Sequence, residues 1–430
     1  MVKSCMIPSQ NPSSCTRRGF LRLCAGFLAF LGIGGKLRPA GAASRDALPF
    51  RFLRQMIPSD PATSRTMVWQ ADYLPKDTWL ETQDSAGGAP LRTDASYTYF
   101  QQDNAVTYFF TASHTHLQPG HTYQYRIHWE EQAGSWHTLT TPRTDEPFQA
   151  VLINDSQCAD YSVLAGNLQR IFSRHPDAAF LADLGDLTDN GQSEWHWQSF
   201  FGALGSIPAR YPFVPVMGNH ECYGLDWQMC LPERYLASLP SPDNDSSRFP
   251  GYYYSFDWGP VHFIVLNTQF LELDDLRPGL RTEELLWLKR DRAKSSRPWQ
   301  VVLMHKDILA YDEFQPGTGQ QGGISDVGHI FMPVFDLLGI DLVLSGHMHT
   351  YRNRGHLYGS KPADHGPVYI LFGPSGDQHY SVPVDKNYDK VSCPQPTTDN
   401  YLTLAASKDT LHVEAHYVNG SLLDSVTLKK

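Results

Sequence analysis

The sequence predicts two successive domains, an N-terminal β-sandwich followed by an α/β domain. Length is the first reason, because 430 residues exceed what one hydrophobic core usually serves. The pattern along the chain is the second reason: short alternating strands come first, and from about residue 148 buried strands alternate with helical segments. An aromatic content of 12%, with 33 Gly and 30 Pro, favours strands and turns over a coiled coil or a helical bundle.

The overall composition limits the class of protein further. A hydrophobic fraction of 41% is enough to build a core and argues against disorder. The formal net charge is −10, whereas a nucleic-acid-binding surface is usually basic. We therefore expect a globular protein with no nucleic-acid partner.

Residues 1–42 are predicted to be an export signal rather than part of the fold. Arg17 and Arg18 precede an apolar run over residues 23–33, and Ala40-Gly41-Ala42 resembles a cleavage site. The run is too short to span a bilayer, so no stable membrane span is expected in the mature protein. The spacing Arg-Arg-x-Phe-Leu-Arg resembles a twin-arginine signal, which predicts a periplasmic or secreted protein. An ordinary secretory signal or a short membrane anchor is the alternative.

Residues 50–147 are predicted to form the sandwich. Segments rich in β-branched and aromatic residues are separated by turn residues, as is typical of sandwich strands. These segments are Thr66–Trp69, Ser96–Phe100, Val106–Phe110 and Tyr123–Ile127. Leu117-Gln118-Pro119-Gly120 leading into Tyr123 resembles the tyrosine corner of fibronectin type III sandwiches, so a sandwich of that type is expected.

Residues 148–430 are predicted to form the α/β domain, with its functional site at one sheet edge. Each of five apolar runs ends in polar residues, which would meet at the carboxyl ends of buried strands. The runs cover 149–153, 178–184, 212–217, 299–304 and 340–344. Helical patterns cover 194–204 and 281–293, and the tail from Tyr401 is predicted to be strands with an Asn419-Gly420 turn.

The residues that follow these strands are of metal-ligating types. They are Asp155, Gln157, Asp186, Asn219, His305, His347 and His349. Carboxylate, imidazole and amide oxygen ligands suit metals such as Zn, Fe and Mn. A single one of these residues would more often be a turn aspartate or a core histidine, but five strand ends of this chemistry together indicate a metal site.

The order of these motifs resembles that of the calcineurin-like metallophosphoesterases. The motifs are Asp155-x-Gln157, Gly185-Asp186, Gly218-Asn219-His220-Glu221, His305 and Gly346-His347-x-His349. The predicted sandwich, the run Gly251–Asp257 and the segment Gly366–Ile370 with Gly373 resemble the purple acid phosphatase branch. The likeness covers nearly all of the chain after residue 50, and it implies a metallophosphoesterase domain of αββα layers.

The resemblance also implies a cofactor and a reaction. The cofactor would be two divalent or mixed-valence ions of Mn, Zn or Fe, with Asp186 bridging them. The other ligands would be Asp155 and His349 on the first ion, and Asn219, His305 and His347 on the second. Metal-bound hydroxide would attack a phosphate monoester. His220 would stabilise the transition state or protonate the leaving oxygen, and Glu221 would orient His220 or cap the turn.

Three positions near the predicted site remain open. Gln157 stands where many metallophosphoesterases outside the purple branch have histidine; its amide oxygen either binds the first metal or only forms hydrogen bonds. Tyr351 and Arg352 directly follow His349 and are predicted to bind substrate, since arginine suits phosphate recognition. Arg354 is the alternative to Arg352.

The cysteines leave two possibilities. Cleavage after Ala42 would leave Cys158, Cys222, Cys230 and Cys393 in the mature chain. An oxidising compartment permits a disulfide, for which Cys222 and Cys230 are the closest pair in sequence. Free buried thiols are the alternative.

Two rival functions remain beside the phosphomonoesterase. The first keeps the chemistry and changes the substrate to a phosphodiester, a choice that would depend on loops such as 222–248 and 309–325. The second is a non-catalytic binding protein on a degenerate scaffold, which applies if Gln157 abolishes the first metal. A small phosphate ester is the partner expected for either enzymatic function.

The colour of the iron-loaded protein is a testable consequence of the resemblance. The purple branch has a tyrosine three residues after the bridging aspartate, and its charge transfer to Fe(III) produces the colour. That position is Asp189 here, which we expect to stabilise the turn. The protein is therefore expected to stay colourless after iron loading, and a visible absorption band would contradict this.

Overall fold

The computed structural model describes residues 49–102, 105–310, 323–395 and 397–430. Residues 48–430 cluster into one compact unit. The predicted export signal over residues 1–42 lies outside the described residues, as does most of the 309–325 loop. The division of the chain at residues 147 and 148 stays a prediction.

The first part of the chain consists of strands. In chain order they are β1 (Arg51–Met56), β2 (Arg65–Ala71), β3 (Thr78–Asp84), β4 (Leu91–Asp94), β5 (Ser96–Gln102), β6 (Ala105–His114), β7 (Thr122–Trp129), β8 (Gln132–Ala133) and β9 (His137–Thr140). All four strands predicted for this part are present, each with extra residues at one or both ends.

Strands and helices alternate in the second part. The strands are β10 (Phe148–Ile153), β11 (Leu181–Asp183), β12 (Phe213–Pro215), β13 (Tyr254–Trp258), β14 (Val261–Val265), β15 (Trp299–Leu303), β16 (Leu309–Ala310), β17 (Gly323–Ile324), β18 (Leu342–Ser345), β19 (Arg352–Tyr358), β20 (Lys361–Pro362), β21 (Val368–Leu371), β22 (Val391–Ser392), β23 (Asn400–Ala406), β24 (Thr410–Tyr417) and β25 (Leu422–Lys429). The helices are α1 (Tyr161–Arg174), α2 (Glu194–Leu204), α3 (Ile207–Arg210), α4 (Glu233–Ser238), α5 (Phe270–Leu273), α6 (Leu280–Lys294) and α7 (Asp326–Leu338).

Two large mixed sheets organise these strands. The first has the order β25-β24-β23-β10-β11-β12-β1-β2-β6-β5, and the second has the order β13-β14-β15-β18-β21-β19-β20 with β22 beside β19. Strands β10, β11 and β12 are parallel, and so are β14, β15, β18 and β21. Parallel strands place their carboxyl ends at the same edge, which is where the predicted site residues follow.

The second-part core has sheet against sheet with helices outside. Ala150 and Leu152 of β10 belong to the cluster between the sheets, whereas Val151 and Ile153 belong to the cluster shared with the helices. This alternation follows from the two-residue period of a strand, whose successive side chains point to opposite faces. The resulting layers agree with the fold expected of a metallophosphoesterase.

Side-chain caps start the principal helices. The side chains of Asp160, Ser193 and Ser325 accept hydrogen bonds from first-turn backbone N–H groups of α1, α2 and α7. Helix α2 has the predicted bounds, and α6 is one residue longer at each end than predicted. The tail also forms the predicted hairpin between β24 and β25, and β23 pairs with β10.

The first part of the chain packs two sheets around a separate apolar cluster. Strands β4, β3, β7 and β8, with β9 beside β7, face the β1, β2, β6 and β5 end of the large sheet. Tyr123 Oη accepts a hydrogen bond of 2.8 Å from the backbone N–H of Gln118, the contact expected of a tyrosine corner. The fibronectin type III relationship itself stays a prediction. No helix within the described ranges is long and apolar enough to cross a membrane.

A partly buried ionic cluster joins β13, β14 and α6. His262 Nδ1 lies 2.7 Å from Asp257 Oδ1, and its Nε2 lies 2.9 Å from Asp291 Oδ2. Arg297 Nε donates to the other oxygen of Asp257 at 2.9 Å. Burial by itself would lower the pKa of His262, but the hydrogen bonds and charges of Asp257 and Asp291 outweigh it and raise the pKa to about 9.

This cluster predicts a pH-dependent contribution to stability. Since folding raises the pKa of His262, its contribution is complete below about pH 6.5 and is lost as the pH rises through about 9. The shift corresponds to at most about 3 kcal/mol. Urea unfolding of the wild type and of His262→Gln should give free energies of unfolding that differ most near pH 6 and converge toward pH 9. A difference independent of pH would contradict the assignment.

Candidate metal centre

The seven predicted ligands come from loops at one edge of the two sheets. Asp155 and Gln157 follow β10, Asp186 follows β11, and Asn219 follows β12. The histidines follow strands of the other sheet, with His305 after β15 and His347 and His349 after β18. Each residue is at most 6% exposed apart from His347, which is partly buried.

Asp186, Asn219, His305 and His347 form one half of the site. Asp186 Oδ2 lies 3.0 Å from His305 Nε2, and Asn219 Oδ1 lies 3.2 Å from the same nitrogen. One ligand atom each of Asp186, His305 and His347 lie within 4.8 Å of one another. Four side chains from both sheets therefore converge on one small volume.

Asp155, Gln157 and His349 form the adjoining half. Asp155 Oδ1 lies 3.7 Å from His349 Nε2, and Gln157 Nε2 lies 3.1 Å from that nitrogen. The two carboxylate oxygens of Asp155 accept from the backbone N–H of His347 at 3.0 and 3.1 Å. Asp155 thus connects the two halves, and all seven predicted ligands belong to a single cluster.

Hydrogen bonds to backbone carbonyls orient two of the imidazoles. His305 Nδ1 lies 2.9 Å from Leu184 O, and His349 Nδ1 lies 2.6 Å from Gln378 O. A ring that donates through Nδ1 carries its lone pair on Nε2. The His305 Nε2 lone pair then faces the oxygens of Asp186 and Asn219, an arrangement that is unfavourable unless a cation or a proton lies between them, whereas Nε2 of His349 faces the amide nitrogen of Gln157.

Two buried polar atoms add to this argument. Among the residues that the structure describes, His347 Nδ1 and Gln157 Oε1 have no hydrogen-bond partner, although both atoms are buried. An unsatisfied buried polar atom costs about 1–3 kcal/mol, and a bound cation would satisfy one that carries a lone pair. The residues present therefore fit the divalent metal ions of this class. Whether Gln157 itself ligates stays open, because its amide nitrogen is the atom that faces His349.

The backbone at the site is strained. Asp155, Asp186, His347 and His349 have positive φ values of 50°, 52°, 76° and 48°. The left-handed region costs a non-glycine residue about 1–2 kcal/mol, and such outliers concentrate at functional sites. Four proposed ligands in this conformation indicate loops shaped for the positions of their side chains.

Glu221 holds the Asp186 loop against the Asn219 loop. Its buried carboxylate accepts from the backbone N–H groups of Asp186, Leu187, Thr188 and Gly218 at 3.0, 2.9, 3.3 and 2.7 Å. Gly218 is required here, because a Cβ at that position would lie 2.1 Å from Asp186 Oδ1. Of the two roles predicted for Glu221, the structure supports capping of the turn.

Electrostatics set the protonation of the ligands. Burial raises the pKa of Asp155 to about 8 and lowers that of His349 to about 4. Burial also lowers the pKa of His347, whereas the charge and hydrogen bond of Asp186 overcome burial and raise that of His305 to about 9. His347 and His349 are thus neutral near pH 7, which is the form that binds metals, and the Asp186–His305 pair favours positive charge.

His220 lies beside the cluster rather than within it. Its Nδ1 is 2.7 Å from the backbone oxygen of Asp189, and its Nε2 is 3.9 Å from Asp186 Oδ2. Asp189 also accepts a hydrogen bond of 3.1 Å from Gln378 Nε2 through its carboxylate. The contact with Asp189 leaves Nε2 of His220 as the atom that can face a substrate.

The structure does not bring the predicted substrate-binding pair to the site. Arg352 is fully buried and donates to Thr350 Oγ1, Tyr351 O and Val382 O. Tyr351 is 1% exposed and its hydroxyl donates to Asp424 at 2.8 Å. Substrate binding by Tyr351 and Arg352 is therefore unsupported, because both side chains are committed to contacts within the core.

The alternative arginine is also committed to the interior. Arg354 forms two hydrogen bonds of 2.7 Å with the carboxylate of Asp307, and both side chains are buried. Asp307 lies two residues after His305, so this pair supports the loop of a predicted ligand. Arg354 offers the substrate no exposed group.

The four cysteines of the predicted mature chain are free thiols, and Cys158, Cys222 and Cys393 are buried. Cys222 and Cys230 are opposite each other in a hairpin, where Cys230 N donates to Cys222 O at 2.8 Å. The structure thus has the free thiols that were the alternative to the expected disulfide.

Sequence reasoning missed three residues around the imidazoles. Gln378 O anchors His349, and Tyr380 stacks on the His349 ring with centroids 4.2 Å apart. The Tyr223 ring lies 5.3 Å from that of His220. Gln378 and Tyr380 follow no strand of the predicted set, so no spacing marked them, but Tyr223 could have been suspected from its place three residues after His220.

Comparison with known proteins identifies the class of the site. The model of the calcineurin-like phosphoesterase family matches residues 148–351, which include all the predicted ligands. The fold is similar to that of purple acid phosphatase PPD1 from yellow lupin (Lupinus luteus) seeds, with a TM-score of 0.71 and 17% identity over 88% of this chain and 74% of that one. It is also similar to that of PhoD, with a TM-score of 0.62 and 13% identity over 90% of each chain.

Sequence similarity extends to the purple branch. Purple acid phosphatase 22 of Arabidopsis thaliana is 26% identical over 317 residues, which cover 71% of this chain and 68% of that protein. These similarities confirm the predicted resemblance to the purple acid phosphatase branch of the calcineurin-like metallophosphoesterase superfamily. This superfamily consists of metal-dependent hydrolases, so the predicted enzyme class is confirmed.

Proposed function

We propose that this protein hydrolyses phosphate monoesters at a site that holds two metal ions. The observation that carries the proposal is the convergence of carboxylate, amide and imidazole groups from both sheets on one buried cluster. There, Nε2 of His305 lies 3.0 and 3.2 Å from oxygens of Asp186 and Asn219, and Nε2 of His349 lies 3.7 Å from Asp155 Oδ1. The similarity to purple acid phosphatases supports the same reaction class.

The ligands divide into two groups around Asp186 and Asp155. Asp155 and His349 would hold the first ion, with Gln157 in reach, and Asp186 would be shared. Asn219, His305 and His347 would hold the second ion. When bound, the two ions supply Lewis-acid stabilisation of the phosphoryl oxygens and lower the pKa of a water molecule.

His220 has a separate task, which is to hold a proton for the leaving oxygen. Its Nδ1 is committed to Asp189 O, so the exchangeable proton is at Nε2. The backbone N–H of His220 donates to Asp186 Oδ1 at 2.8 Å, which fixes the imidazole next to the ligand cluster. A positioned imidazole in this role contributes about 10²–10⁴-fold to the rate.

Hydrolysis of p-nitrophenyl phosphate and of bis(p-nitrophenyl) phosphate by the mature protein tests the proposal. Protein reconstituted with Mn, Zn or Fe should bind two ions per chain and turn over the monoester faster. His220→Ala should lower kcat by about 10²–10⁴-fold without changing the metal content. The matched control is His412→Ala, which changes a partly exposed histidine of β24 and should not alter kcat.

Each rival function has its own outcome in this experiment. A higher rate on the bis-ester would replace the proposed substrate class with phosphodiesters. One bound ion per chain and no turnover with any metal would favour the binding protein and would point to Gln157. An unchanged kcat in His220→Ala would exclude His220 as the proton donor.

We also propose that the protein is exported through its N-terminal segment. The support is in the sequence, where Arg17 and Arg18 precede the apolar run and Ala40-Gly41-Ala42 follows it. The full chain expressed in a bacterium should yield an exported protein that begins at Ala43. Replacing Arg17 and Arg18 by lysine should keep it in the cytoplasm, and unchanged export of this variant would contradict a twin-arginine signal.

A further inference from the structure

A short hairpin begins next to His220 and extends the edge of the site. Tyr223 and Met229 form a bridge, and Gly224 N donates to Gln228 O at 2.8 Å. Trp227 N donates to Gly224 O at 2.8 Å, which closes a turn over the loop 225–227. Asn190 Nδ2 donates to Gly224 O at 2.7 Å and ties the hairpin to the Asp186 loop.

The conformation of Trp227 is unusual for its residue type. The last residue of a three-residue hairpin loop adopts a left-handed conformation, for which glycine is preferred. Trp227 occupies this position with φ of 60°. A bulky residue with positive φ is an outlier that a fold normally avoids, and such outliers are found at ligand clamps. The strained position of Trp227 therefore indicates a functional role for the indole ring, such as contact with a ligand.

Ring contacts connect Trp227 to the proposed proton donor. The Trp227 ring lies 6.2 Å from that of Tyr223, which in turn lies 5.3 Å from the His220 ring. The Trp227 side chain is 43% exposed, and Leu225 and Met229 are 52% and 44% exposed. The hairpin thus presents an apolar surface to solvent. The Tyr223 ring lies between the Trp227 ring and His220, whose Nε2 would protonate the leaving oxygen.

We propose that Trp227 contacts the leaving group of the substrate and makes the enzyme selective for phosphate esters with an uncharged aromatic leaving group. This inference rests on the proposed function, because the leaving oxygen has to lie near His220 Nε2. A planar ring stacks on an exposed indole, whereas an aliphatic alcohol gains less from it. The charged residue of the loop, Asp226, disfavours an anionic leaving group.

Kinetics with two monoesters test this selectivity. Phenyl phosphate and glycerol 2-phosphate share the phosphoryl group and differ in the leaving group. Trp227→Ala should lower the ratio of kcat/KM for phenyl phosphate to that for glycerol 2-phosphate about five- to tenfold, because the stacking of two aromatic rings strengthens binding by about that factor. Trp227→Phe should retain most of the ratio. Trp136→Ala is the matched control, because Trp136 is 41% exposed in the first part of the chain, and its ratio should be unchanged.

A binding measurement that needs no turnover complements the kinetics. Calorimetric titration of the metal-loaded protein with phenylphosphonate and methylphosphonate should give tighter binding of phenylphosphonate. Trp227→Ala should reduce that preference by the same factor, and Trp227→Phe should keep it.

The outcomes separate this inference from the proposed function. An active enzyme whose substrate ratio and phosphonate preference are unaffected by Trp227→Ala would overturn the role of Trp227 and leave the phosphatase standing. Absence of turnover of either ester would instead overturn the proposed function. If Trp136→Ala lowered the substrate ratio by the same factor, the ratio would not be a measure of contact with the hairpin. That result would also overturn the inference.

Discussion

The structure depends first on the attachment of the Asp186 loop to the Asn219 loop through Glu221. One buried carboxylate satisfies four backbone N–H groups, and burial together with the charge of Asp186 raises its pKa to about 7. The Asp186 backbone would otherwise present unsatisfied N–H groups in its left-handed conformation. With both loops held in place, Asp186 and Asn219 reach His305 from the facing sheet. His220 adds two further hydrogen bonds between the same loops, from its backbone N–H to Asp186 Oδ1 and from its Nδ1 to Asp189 O.

The two sheets supply the stability that offsets the unfavourable free energy of the strained site. Left-handed residues, buried polar atoms without partners and the His305 lone pair that faces two oxygens all oppose folding when no cation is bound. The apolar layer between the sheets offsets them, because strands β10, β11, β12, β15 and β18 place most of their side chains in the two large clusters. Rigid strand ends also limit how far the loops can relax away from a strained geometry. The stable packing of the strands is thus what allows the loops at the sheet edge to keep a strained conformation.

The sequence predicted the strand ends well and the surroundings of the ligands poorly. Apolar runs that stop at Asp155, Asp186 or His305 can be recognised in the amino-acid sequence alone, because the hydrophobicity of a strand and the type of the residue that follows it are local properties. The roles of Tyr351 and Arg352 could not be predicted in that way, since adjacency to His349 says nothing about the direction of a side chain. Both side chains point into the interior, where Tyr351 donates a hydrogen bond to Asp424 and Arg352 donates one to Val382 O. Gln378 reaches His349 only through the path of the folded chain.

Asp189 shows how the site differs from that of the purple branch. In this chain its backbone oxygen accepts from His220 Nδ1, and its carboxylate accepts from Gln378 Nε2. Gln378 O in turn accepts from His349 Nδ1. The aspartate therefore joins the proposed proton donor to a ligand on the opposite sheet through one amide side chain. The imidazoles of His220 and His349 are thus oriented by one short chain of hydrogen bonds. A side-chain change at position 189 would break the link to Gln378, and so to His349, whereas the bond of His220 to the backbone oxygen would remain.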